Sequence, residues 1–97
     1  MAYSTANPPN LLAQVMARGV NNEGRLWVYT HIDAPALVRV SGYFTNGFDI
    51  GLRVNDTVIV TDSDATPVTT SLMIVTSDTN GVIDLSDGTP ITATDTD

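Results

Sequence analysis

A chain of 97 residues supplies one hydrophobic core, not two, and a domain of this size buries about 60–68% of the surface its unfolded chain exposes. Eleven acidic residues, ten of them Asp, stand against four Arg and no Lys, a net charge of -7 that repels phosphate and argues against nucleic acid or an anionic membrane surface as a partner. With no cysteine there is no disulfide scaffold and no thiolate chemistry.

Residues 1–10 are small and polar and end in Asn7-Pro8-Pro9-Asn10. Two successive prolines hold the backbone extended and remove two donors, so these residues read as an extended arm ahead of a single domain spanning 11–97. The arm has neither a basic nor an apolar signal region, and no run in the chain approaches the ~18 apolar residues of a membrane span. The expectation is a soluble protein made in the cytoplasm. Residues 11–18 (LLAQVMAR) favour helix but form only about two turns, which need tertiary support. Gly19, Asn21, Asn22 and Gly24 mark a turn.

Residues 25–31 (RLWVYTH) predict a strand with Leu26, Val28 and Thr30 on one face and Trp27, Tyr29 and His31 on the other. An aromatic face of that kind packs against a neighbour. Residues 34–40 offer a helical turn with Pro35 at its first position, or a strand favoured by Val38 and Val40. Asn46-Gly47 is a strong turn signal, because both residues tolerate positive φ. The alternation of Leu52, Val54, Val58 and Val60 with Thr57 and Thr61 predicts a strand reached through the turn at 54–57. A loop at 62–67, a strand at 70–76, a turn at 78–81 and a strand at 82–85 follow, and 89–97 reads as a polar tail. The fold class is all-β: a small single-domain β-barrel or sandwich-like meander.

No constellation of catalytic residues stands out. His31 is the only histidine, and no Gly-x-Ser-x-Gly elbow accompanies it. A surface or interface histidine accounts for it. Asp62 and Asp64 alternate as calcium ligands do, but the further oxygens, central Gly and closing Glu of a calcium loop are missing. A solvated turn accounts for that pair. The glycines are scattered and form no phosphate-cradling loop. Neither metal nor cofactor is expected, and an enzyme is the weaker class. Tyr43, Phe44 and Phe48, set among turn residues, either close the core or meet a partner chain, and core closure is the favoured expectation.

The small motifs Asn7-Pro8-Pro9, Gly24-Arg25-x-Trp27-x-Tyr29, GYFTNG at 42–47, Arg53-Val54-x-Asp56 and DLSDGT at 84–89 are distributed along nearly the whole length of the chain. In these the sequence resembles the small virion proteins encoded beside the major capsid gene in tailed phages and prophages. The resemblance implies a capsid decoration, or cement, protein: a β domain on the capsid exterior, a homotrimer, with the major capsid protein as its partner. A head-fibre or tail-associated module binding a receptor or glycan is the alternative, and a small hydrolase a distant third. The expected partner-binding residues are Pro8 and Pro9 of the arm, Trp27, and Arg25, Arg39 and Arg53, available to carboxylates.

Overall fold

The computed structural model describes residues 3–14, 25–65 and 68–91. Among these residues six strands form one open sheet: β1 (Asn10–Gln14), β2 (Arg25–His31), β3 (Thr57–Asp62), β4 (Thr69–Ser77), β5 (Asp84–Leu85) and β6 (Thr89–Ile91). Two short helices, α1 (Pro35–Val38) and α2 (Gly47–Ile50), lie between β2 and β3, and a 3₁₀ turn, Thr79–Gly81, lies between β4 and β5. β1 pairs antiparallel with β2, β2 parallel with β3, and β3 antiparallel with β4. The far edge of β4 is shared: β6 pairs with its residues 70–72, and β5 meets it from Val75 to Ser77.

The all-β expectation holds, and the sheet is open rather than closed into a barrel. It also differs from a simple meander, because β2 and β3 run parallel. Parallel neighbours need a long crossover. Residues 32–56 supply it, folding over one face of the sheet as a covering layer of turns and short helices.

Strand alternation places the core. β3 alternates half-buried and buried residues along its whole length, and Trp27, Tyr29, Val58, Val60, Met73 and Val75 point to the covered face. Val38, Phe44, Leu52, Ile83 and Leu85 close over them. Phe44 is buried, as expected of a core plug, whereas Phe48 is 37% exposed.

Two local expectations are revised and one open alternative is decided. Asn10–Gln14 is a strand rather than the start of a helix, because its backbone pairs with β2; residues 15–18 lie outside the described residues. Residues 34–40 take the helical alternative with Pro35 at the start of α1, where its missing N–H costs nothing. The polar tail begins with β6, residues 92–97 being outside the description.

The N-terminal residues pack on their own domain instead of reaching away from it. Tyr3 lies against Tyr29, Tyr43 and Phe44, with ring centroids 5.1–6.2 Å apart, and its hydroxyl donates to Asn46 Oδ1. Asn7 Nδ2 donates to the Thr30 carbonyl at 3.1 Å, and Pro9 is buried. The expected extended arm is bent, because a turn closes where the Asn7 N–H donates to the Ser4 carbonyl at 3.0 Å, and Pro8 and Pro9 then lead into β1.

Candidate functional site

The register fixes what the uncovered face of the sheet presents. Three rows of neighbours cross it: Leu26–Thr57–Ile74, Val28–Ile59–Leu72–Thr89 and Thr30–Thr61–Thr70–Ile91, with Asn10 beside Val28. Every residue in these rows is Leu, Val, Ile, Thr or Asn. No formal charge falls on them in a chain of net charge -7. Leu72 and Ile74 are 41% and 51% exposed, and Ile91 is also exposed. Thr61 and Thr70 link their hydroxyls across β3 and β4 at 3.1 Å.

One end of this face deepens into an open groove of about 620 Å³, lined by Thr57, Leu72, Ile74 and residues 86–89. Ser86 forms the wall by pairing with Ile74: its N–H donates to the Ile74 carbonyl at 2.8 Å, and its Oγ accepts from the Ile74 N–H at 3.0 Å. Gly88 passes close over Met73 with φ +86°, a conformation that suits glycine.

A second apolar surface lies on the covering layer, where Leu37, Val40, Phe48 and Val82 are exposed. Val82 packs beside Gly42 and Phe48 beside Gly81. The Arg53 guanidinium stacks 3.6 Å from the centre of the Phe48 ring, and the half-exposed Arg39 lies 3.7 Å from Asp87. The two surfaces differ in chemistry: the strand rows of the first carry no formal charge, although Asp87 lines its groove, and the second carries Arg39 and Arg53.

Beneath the covering layer, Tyr29, Tyr43, Asp33 and His31 form a hydrogen-bonded cluster. Tyr43 donates to Asp33 Oδ2 at 2.6 Å, and its oxygen lies 2.8 Å from the Tyr29 hydroxyl. His31 stacks on Tyr29 with ring centroids 5.7 Å apart, and its Nδ1 accepts from the Asp33 N–H at 3.1 Å. Burial pushes the Tyr43 hydroxyl far above its ordinary pKa, and its hydrogen bonds with Asp33 and Tyr29 push the same way. Burial likewise raises Tyr29 and Tyr3. Burial also pushes Asp33 upward, but the groups around it, the Tyr43 hydroxyl and His31 among them, outweigh that and leave its pKa lowered. Among the described residues no serine hydroxyl hydrogen-bonds His31. The cluster ties the N-terminal residues, β2 and the crossover together.

The expected partner residues fall in different places. Trp27 is 3% exposed and faces inward, where Asp56 accepts its Nε1–H at 2.9 Å, so it presents nothing to a partner. Arg25 donates to the Gly51 carbonyl and sits over Trp27. Arg53 donates to the Phe48 and Leu52 carbonyls at 2.8 Å while keeping its place on the covering-layer surface. Arg39 is exposed there. Pro8 is half-buried and Pro9 buried against their own chain. Asp62 is buried and accepts the Asp64 N–H at 3.0 Å, a local turn cap; among the described residues no group of three or more His, Cys, Asp or Glu has the spacing of a metal site.

Asp56 is the residue that pattern reading passed over. Fully buried, its carboxylate accepts the backbone N–H groups of Arg25 and Arg53 at 3.1 Å each as well as the Trp27 indole. The preceding Asn55 adopts φ 77°, turning the chain so that this carboxylate points inward. The motif Arg53-Val54-x-Asp56 held the signal, as a short acidic residue after a turn Asn.

Comparison with known protein families, curated proteins and solved structures finds no match to this chain.

Proposed function

We propose that this chain is a structural virion protein, a capsid decoration protein that binds the outer capsid surface as a homotrimer and stabilises the shell. The observation that carries the reading is the pair of uncovered apolar surfaces, one on the open face of the sheet and one on the layer that covers its other face. A cement protein must hold its own kind and also hold the shell, and that requires two adhesive surfaces on one small domain. The sequence resemblance supplies the setting. Binding free energy comes from apolar burial spread over both surfaces, with arginines on one of them available to capsid carboxylates. The low charged fraction, 15% against about 25% for ordinary domains, fits a molecule whose surface is largely covered when it works.

Quantitative peptide mass spectrometry of purified particles tests this reading. Copies in a fixed ratio to the major capsid protein, matching the lattice, are expected. A few copies per particle would replace it with a head-fibre or tail role, and absence from the particle would end it.

A further inference from the structure

We infer that Asn80 is a site of spontaneous covalent modification, where the side-chain amide cyclises onto the Gly81 nitrogen and the residue becomes aspartate or isoaspartate. The inference is independent of the proposed function, and the reaction needs neither enzyme nor partner.

The chain has two Asn-Gly pairs, Asn46-Gly47 and Asn80-Gly81, and the fold treats them differently. In each, the residue after Asn has no side chain to hold its backbone nitrogen away from the amide carbonyl. Asn80 stands in the turn between β4 and β5, exposed and with φ 57°. Among the described residues nothing hydrogen-bonds its side-chain amide. Two local bonds close this turn: the Gly81 N–H donates to the Asp78 carbonyl and the Val82 N–H to the Thr79 carbonyl, each at 3.0 Å. No residue of the turn is buried, so opening it frees the Gly81 nitrogen at little cost.

Asn46 is held from several sides. Its Oδ1 accepts the Tyr3 hydroxyl, and its carbonyl accepts the Ile50 N–H at 3.1 Å within α2. Gly47 is buried, its N–H donates to the Phe44 carbonyl at 2.9 Å, and its carbonyl accepts the Leu52 N–H at 3.0 Å. Ile83, Phe44 and Leu52 crowd it so closely that a Cβ there would meet them within 2.8–3.2 Å. Cyclisation at Asn46 therefore requires the core to open.

The reaction at Asn80 balances without any further reagent than water. The Gly81 nitrogen attacks the side-chain carbonyl carbon and a C–N bond forms. The bond to the side-chain nitrogen breaks, and that nitrogen leaves as ammonia with the proton from Gly81. Water then opens the cyclic imide at either carbonyl, giving aspartate or, where the backbone now runs through the former side chain, isoaspartate. Both products add a carboxylate two residues from Asp78, whose Oδ2 accepts the Val54 N–H at 3.2 Å. Isoaspartate also adds a methylene to the backbone just ahead of Gly81, which lies beside Phe48, and the exposed Val82. The change thus falls on the apolar surface of the covering layer and leaves the sheet face as it was.

Peptide mass spectrometry of the full chain, incubated for weeks at mildly alkaline pH, tests this. Trypsin cuts after Arg39 and Arg53, so Asn46 falls in residues 40–53 and Asn80 in residues 54–97, where fragmentation separates it from Asn55. Trp27 fluorescence identifies the samples that remain folded. In these, Asn80 is expected to show the mass gain of an amide-to-acid exchange, with aspartate and isoaspartate both present. Its rate should exceed that of Asn46 on the order of 10-fold or more, because an exposed turn opens far more often than the core. In urea the two rates should converge. Equal rates in the folded chain, conversion at Asn46 or Asn55 ahead of Asn80, or an Asn80 that reacts only in urea would overturn the inference.

Discussion

Replacing Asp56 with Ala removes one carboxylate and leaves three donors in the interior facing no oxygen: the Arg25 and Arg53 N–H groups and the Trp27 indole. Each buried donor left unsatisfied costs about 1–3 kcal/mol, and relaxation shares some of that loss, so the total is about 3–6 kcal/mol. A domain of this length has only about 5–15 kcal/mol of stability in all, so Asp56→Ala leaves it near the edge of folding. Asp56→Asn keeps one oxygen in place but turns an amide N–H₂ toward the donors, and should lose roughly half as much. The assay is internal to the protein. Trp27 is the sole tryptophan, it is buried, and its indole is a direct partner of Asp56, so its fluorescence follows urea unfolding. With a slope of about 2 kcal/mol per molar urea, the midpoint of Asp56→Ala should fall by about 1.5–3 M with the slope unchanged. A loss below about 1 kcal/mol would show that the carboxylate is not what holds β2 to the crossover.

Three further outcomes are expected. Raised pKa values at Tyr3, Tyr29 and Tyr43 mean that the unfolded chain ionises first; stability is full below about pH 10 and falls above it by about 1.4 kcal/mol per pH unit for each tyrosine still protonated in the fold, measurable by urea titration at stepped alkaline pH. Tyr3→Ala removes one ring from the aromatic cluster and should cost about 1–3 kcal/mol in the isolated domain, whereas an unchanged midpoint would return the N-terminal residues to the role of a free arm. Gly88→Ala would place a Cβ 2.8 Å from Met73 Cγ at φ +86°, and should lower stability by about 1–3 kcal/mol in thermal melts.

The sequence announced those parts of the fold that depend on local alternation. β2, β3 and β4 are runs rich in β-branched and aromatic residues bounded by turn residues, and the structure buries every second residue, on the faces that contain Trp27, Val58 and Met73. β1 escaped because Leu11, Leu12, Ala13 and Gln14 favour helix by propensity, and only pairing with β2 overrides it. The parallel β2–β3 pair escaped because turn signals at 42–47 make the crossover look like meander loops. Trp27 read as a partner contact because sequence shows which residues share a face, but not which face is covered. For the same reason the uncharged rows were present as alternating Thr, Ile and Leu, yet their shared exposure emerged only once the strands were in register. Asp56 bonds to groups up to 31 residues away, a distance over which no local pattern carries.

The role assigned to the protein is mechanical, and shell stability measures it. Particles produced without this chain should lose their packaged genome at a lower temperature than complete ones, and adding the purified wild-type protein should restore the difference. Val82→Glu, altered on the exposed apolar surface beside Arg53, should restore less. Particles that withstand heating equally well with and without the chain would contradict the account.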